Sequence, residues 1–153
     1  MEDDIAAVLG AKDGWVHQVG PDDSVLEAVR RMNIASVGSL VVVDNDELLG
    51  IFTERDVLVR LVEKRRDPAT TPVREVMTED PLCVGPDTSI EDTMILMTEN
   101  HCRHVPVVAD GELHGLVSIG DLIRWTVRDR DVRLDRLLRA MRLPNKREPG
   151  SAS

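Results

Sequence analysis

Apolar and polar positions along the chain follow two alternating periods, and the same sequence of periods occurs twice. Val25, Ala28, Val29 and Met32 recur at the spacing of an amphipathic helix, and so do Ile90, Met94 and Met97. Ser24 and Ser89 stand just before these stretches, where a hydroxyl caps the first free N–H groups. A short β-branched apolar run follows each helix, Ser39–Asp44 and Val105–Ala109, and each reads as a buried strand. These runs close in Asp-Asn-Asp-Glu and Ala-Asp-Gly-Glu turns, after which Leu48–Phe52 and Leu113–Val117 predict a further strand. Polar turns, Thr53–Asp56 and Ser118–Asp121, then open a second helix beginning at Val57 or Leu122. The predicted unit is β-α-β-β-α, and it appears twice.

Sliding the chain against itself by 65 residues lays Val19–Leu58 on Val84–Ile123 without a gap. Val19-Gly20-Pro21-Asp22 falls on Val84-Gly85-Pro86-Asp87, Ser24 on Ser89, Met32 on Met97, and Val42-Val43 on Val107-Val108. Glu47-Leu48 falls on Glu112-Leu113, Gly50 on Gly115 and Asp56 on Asp121, so 12 of 40 positions are identical. Chance on ordinary residue usage gives roughly two or three. The chain therefore divides into a first repeat over 8–64, a polar linker over 65–75 and a second repeat over 76–128. A separate basic amphipathic helix over 129–143 follows, with Val132, Leu134, Leu137, Leu138 and Met141 on its apolar side, then a disordered tail over 144–153.

Composition narrows the function classes. With two Trp, one Phe and no Tyr in 153 residues, the chain lacks aromatic platforms for single-stranded nucleic acid. A net charge of −9 argues against direct nucleic-acid binding and against anionic membranes. No apolar run approaches the roughly 18 residues of a membrane span, and the acidic start Met-Glu-Asp-Asp is unlike a signal peptide. A cytoplasmic, reducing location is expected, with Cys83 and Cys102 as buried, inert thiols rather than a disulfide framework.

Val-Gly-Pro-Asp, Gly-Ser-Leu-Val-Val-Val-Asp, Gly-Ile-Phe-Thr-Glu-Arg-Asp, Val-Arg-Glu-Val-Met-Thr, Arg-His-Val-Pro-Val-Val and Gly-Leu-Val-Ser-Ile-Gly-Asp occur in two ordered sets. From about Val8 to Val127 the chain resembles the CBS (cystathionine β-synthase) domain family, and most of all its small stand-alone prokaryotic pairs. The resemblance implies an α/β fold of the α+β type: tandem repeats about a pseudo-twofold axis with a cleft between them, commonly dimerising into a disc. It also implies an adenine nucleotide (AMP, ADP, ATP or NAD) in that cleft and a regulatory output to an unidentified partner protein.

Thr53 and Ser118 stand where a hydroxyl and free N–H groups hold a phosphate at a helix start, and Asp56 and Asp121 where a carboxylate accepts from ribose hydroxyls. On the residues alone, simple N-capping explains all four equally. The resemblance implies that Gly38 and Ser39, and Arg103 and His104, line the cleft. Arg55 adds a phosphate ligand where its counterpart Gly120 offers only backbone, so the two sites differ. By the same resemblance the adenine lies against Gly14, Trp15 and Val16 with Val37, and against Asp80 and Pro81 with Cys102. Trp15 stacks on a ring or fills core; Lys12 meets a phosphate or solvent; Arg103 meets a phosphate or ends a helix in solvent. His101, Cys102, His104, Cys83 and His114 match no standard zinc spacing, so no metal site is expected. No nucleophile–base motif, P-loop or Gly-x-Gly-x-x-Gly is present, so the chain reads as a non-catalytic sensor. The alternative is a ligand-independent dimerisation or docking scaffold.

Overall fold

The computed structural model describes residues 3–12 and 16–140. In chain order its first half holds α1 (Ile5–Gly10), β1 (Gln18–Val19), α2 (Val25–Ala35), β2 (Ser39–Asp44), β3 (Glu47–Thr53) and α3 (Glu54–Asp56). Its second half holds β4 (Thr78–Glu79), α4 (Ile90–Glu99), β5 (His104–Ala109), β6 (Glu112–Ser118) and α5 (Ile119–Ala140). A wider π-helical stretch, Val57–Val62, continues α3, and a 3-10 turn, Val73–Glu75, precedes β4. Strands β1 to β4 form one mixed sheet in that order. Strands β5 and β6 form a hairpin, to which Val84 adds a single parallel bridge at Val107.

The halves repeat in detail. Ser24 accepts from the Glu27 N–H and Ser89 from that of Asp92. The hairpins turn at Asn45-Asp46 and Asp110-Gly111, all four at positive φ, as two-residue turns that match strand twist require. Each hairpin carries a register shift at the same place, Val42/Val43 and Val107/Val108. Thr53 is itself the cap of α3, and α5 already begins at Ile119, so both second helices start one turn earlier than the apolar pattern suggested.

Each half is completed by the segment that leads into the other. The N–H groups of Ile5 and Ala6 donate to the carbonyls of Thr88 and Pro86, and Ile5 and Val8 lie in the second core with Val105, Val107, Val117 and Leu122. Reciprocally, the N–H groups of Val73 and Arg74 donate to Asp23 and Pro21, and Val73, Val76 and Met77 lie in the first core with Leu40, Val42 and Phe52. The segment read as a linker thus supplies buried Thr71 and Val73. Matching contacts lay Ile5 on Val73, a shift of 68 against 65 in the repeat bodies, so the first arm is three residues longer.

One expectation is corrected. Residues 129–140 form no separate helix but continue α5 without a break. No Gly or Pro lies between Asp121 and Leu143 to end it. Met141 to Leu143 and the tail fall outside the described residues.

The exchanged arms press on two matching glycines. A Cβ at Gly50 would meet the Thr78 carbonyl oxygen at 2.5 Å and Met77 Sδ at 2.9 Å, whereas one at Gly115 would meet only the Leu9 side chain, at 2.6 Å. Backbone cannot yield as a methyl can. Gly50→Ala is expected to lower stability in urea unfolding by about 1–3 kcal/mol, and Gly115→Ala by clearly less. Equal losses would contradict this account of the arms.

Candidate functional site

Strands β3 and β6 each run straight into a helix, and each joint is a capping box. The Thr53 N–H donates to Asp56 Oδ2 at 2.9 Å, and the Asp56 N–H donates to Thr53 Oγ1 at 3.4 Å. In the second half the Ser118 N–H donates to Asp121 Oδ2 at 2.8 Å, and the Asp121 N–H to Ser118 Oγ at 3.1 Å. The carbonyls of Gly38 and Arg103 close the two joints by accepting from the N–H groups of Glu54 and Ile119. Capping is therefore realised in both copies through Oδ2. Oδ1 is the oxygen that the capping bonds leave over in each box, and in the second box Arg124 meets it at 2.7 Å.

The boxes differ in their cations. Asp56 is only 6% exposed, and its nearest cation is Arg60, 3.8 Å from Oδ1. Burial pushes its pKa above the ordinary carboxylate value, outweighing the Thr53 hydrogen bonds, Arg60 and Arg55. Asp121 instead has Lys12 Nζ 2.7 Å from Oδ2 and Arg124 2.7 Å from Oδ1. Burial acts upward here too, but hydrogen bonds from Lys12 and Ser118 overcome it and hold the carboxyl below its ordinary value. Lys12 also donates to the Leu116 carbonyl at 2.9 Å.

A cavity of about 860 Å³ opens beside Asp121 and brings together Lys12, His17, Val37, Arg124 and Arg128. Val37 and Asp121 thus meet from opposite halves. Val16 is half-buried next to His17, while Gly14 and Trp15 lie outside the described residues. Near the other box, Arg55 reaches across the halves to the His101 carbonyl at 3.4 Å, next to half-buried Cys102. Asp80 is exposed at φ 44°, Pro81 is half-buried, and Gly120 opens α5 with backbone alone. Buried Ser39 pairs with Thr53 across the first hairpin as His104 pairs with Ser118 across the second. Arg103 is exposed and forms no ion pair among the described residues.

Several residues here escaped the sequence reading. Arg60 and Arg124 sit four and three residues after their box aspartates, a helical spacing that was legible. Arg128 and Trp125 gave no such signal. The Trp125 indole N–H is buried and has no partner among the described residues; it lies between the Asp121 cavity and a larger hollow of about 940 Å³ along α4 and α5 that contains neither box. The thiol expectation is corrected for Cys83, which is exposed and bonded to the Pro81 carbonyl. Only Val84 enters the sheet there, and Cys83 is left outside it. Among the described residues no three His, Cys, Asp or Glu side chains converge as a metal would need, and no helix is long and apolar enough to cross a membrane.

Such an architecture, two β-α-β-β-α units exchanging their leading arms and carrying one strand-to-helix box each, defines a paired-repeat α/β module. The chain belongs to the CBS-domain family, whose model matches residues 16–63 and again 73–128. It is 42% identical over 121 residues to the CBS domain-containing protein CBSX3, mitochondrial, of Arabidopsis thaliana, covering 76% of this chain and 59% of that one. A solved CBS-domain protein from Burkholderia ambifaria superposes with a TM-score of 0.80 at 39% identity, over 82% of this chain and 95% of that one. The structure of CBSX2 in complex with AMP superposes at 0.65 with 31% identity, over 75% and 90%.

Two pH effects follow. Carboxyl ¹³C titration of the folded protein is expected to place Asp56 above the ordinary aspartate value and Asp121 below it; the reverse order would refute the assigned cation contacts. His104 is lowered, chiefly by burial and further by Lys12 and Arg103, against the pull of Asp121 and Glu54. A histidine lowered on folding takes its proton more readily in the unfolded chain. Its contribution is complete above the unfolded value of 6.5 and is lost as pH falls below it. His104→Gln is therefore expected to lose less stability than the parent between about pH 7 and about pH 5 in urea unfolding.

Proposed function

We propose that this chain is a non-catalytic regulatory sensor that takes an adenine nucleotide (AMP, ADP, ATP or NAD) between its repeats. The observation that carries this reading is the duplicated box: a hydroxyl and a deeply placed carboxylate set together at a strand-to-helix joint in each half. Such a joint offers donors to a phosphate and an acceptor to ribose hydroxyls. The AMP complex of CBSX2 supports the choice of ligand class. Thr53, Arg55 and Asp56, with Asp80, Pro81 and Cys102, would serve one cleft. Ser118, Gly120 and Asp121, with Gly14, Trp15, Val16 and Val37, would serve the other. Gly38, Ser39, Arg103 and His104 would line the floor between them.

The module would act as a homodimer on a partner protein. A nucleotide would change its shape only as far as it binds one packing of the repeats better than another.

Calorimetric titration of nucleotide-stripped protein with AMP, ADP, ATP and NAD tests the reading, with Asp56→Ala and Asp121→Ala alongside. At least one ligand is expected to bind, and each variant to weaken one site by about tenfold or more, the value of a hydrogen bond to a charged group. Circular dichroism checks that each variant stays folded, since losing a cap costs about 1 kcal/mol. No binding by any of the four to a folded dimer would sink the sensor and leave a ligand-independent scaffold.

A further inference from the structure

The two boxes descend from one sequence but do not hold the same charge. Among the described residues no lysine approaches Asp56, and its Oδ1 is met only by Arg60, at 3.8 Å. Around Asp121 both oxygens are taken: Oδ2 by Lys12 and the Ser118 N–H, Oδ1 by Arg124. Arg124 is 72% exposed, so water screens its contribution and it yields readily. Lys12 is 36% exposed, is fixed a second time by the Leu116 carbonyl, and faces a carboxylate only 9% exposed. It is the more firmly held of the two cations that a ribose reaching Asp121 would meet.

Lys12 arrives from the exchanged arm, 109 residues away in sequence. The shift of 68 that lays Ile5 on Val73 lays Lys12 on Asp80, so the equivalent place on the first half carries an acid instead. The Asp121 cavity adds Arg124 and Arg128 to Lys12, three cations lining one recess in a chain of net charge −9. Its volume of about 860 Å³ lies within the range of small-ligand pockets.

We propose that Lys12 is a specificity-determining residue that makes the Asp121 cleft require a phosphorylated nucleoside. In the empty cleft its ammonium lies on the carboxylate that a ribose would use. A neutral nucleoside that takes that carboxylate leaves the ammonium only the Leu116 carbonyl and water. A nucleotide supplies an anion on which it settles again, within reach of its flexible four-carbon stem. The Asp56 cleft has no such lysine among the described residues and discriminates less. This assignment rests on the nucleotide reading above.

The test titrates the full chain, as parent, Lys12→Met and Lys12→Arg, with adenosine and with AMP. Methyl NMR of Val37 and Val127 reports the Asp121 cavity, and the Leu58 and Val59 methyls report the helix that follows Asp56. At the Asp121 cavity the parent is expected to prefer AMP over adenosine by about tenfold or more. Lys12→Met should shrink that preference to about threefold or less, and Lys12→Arg should retain most of it. The preference read beside Asp56 should be unchanged in all three. An unchanged preference at the Asp121 cavity in Lys12→Met would overturn the assignment while leaving nucleotide binding intact. Shifts confined to the Asp56 side in every variant would overturn it equally. No shift at either reporter, with any variant and either ligand, would overturn the nucleotide reading itself and this assignment with it.

Discussion

The reciprocal exchange of arms is the constraint on which the rest of the structure depends. Neither repeat finishes its own core. Ile5 and Val8 are buried against the strands of the second half, and Val73 and Val76 against those of the first. Fully burying one such side chain contributes about 1.5–3 kcal/mol, so the four together rival the whole net stability of an ordinary domain. Backbone hydrogen bonds then fix the arms in register, since Ile90 donates to Asp3 as Val25 donates to Thr71. Two small half-domains of this size would be marginal alone. Joined in this way they fold as one body, and the joints that carry the boxes are held against each other from both sides.

The exchange also decides what surrounds the boxes. A carboxylate as deeply placed as that of Asp56 or Asp121 must be compensated, and its own backbone supplies the first part through the capping bonds. The second part comes from whatever neighbouring elements bring. On the first half that is Arg60, whose guanidinium also donates to the carbonyls of Val76 and Met77 at the base of the second arm. On the second half it is Lys12, at the end of the first arm. In both halves an arm and a box are therefore tied by one cation, but only in the second does that cation sit directly on the carboxylate.

Much of this was legible in the sequence, and the limits have physical causes. The repeat bodies were readable because strands, turns and caps are local: Ser24, the Asn45-Asp46 turn and the Val42-Val43 pair each have a counterpart 65 residues on. The arms were not, because they match only in apolar character and at a different shift, with Ile5 answering Val73 and Leu9 answering Met77. The starts of the second helices were read one turn late, since Glu54 and Ile119 fall inside turns whose polar residues masked the helical period. Thr53, Asp56, Ser118 and Asp121 were legible as capping pairs, and the structure places Val37 in the cavity beside Asp121. That Lys12 belongs to Asp121 could not be read, because charge pairing over that separation leaves no period or spacing in the chain.

A strongly acidic chain is an unpromising receptor for anions, and the distribution of charge sets one cavity apart from the rest of the surface. Exposed charges are screened beyond roughly 8–10 Å at ordinary ionic strength, so the net charge of −9 acts weakly at a recess whose own walls carry cations. What counts inside the Asp121 cavity is Lys12, Arg124 and Arg128; Lys12 and Arg124 both sit on the Asp121 carboxylate, and Lys12 alone of these is held a second time, by the Leu116 carbonyl. The exposed arginines raise the local concentration of an anion without fixing its position, whereas the pinned lysine fixes a position at the cost of blocking a carboxylate. On the proposed reading, a site built this way would answer to two features of a ligand at once, its diol and its charge. It also ties the answer to the arm that completes the core of the same half, so an event at one carboxylate bears directly on the packing that holds the two repeats together.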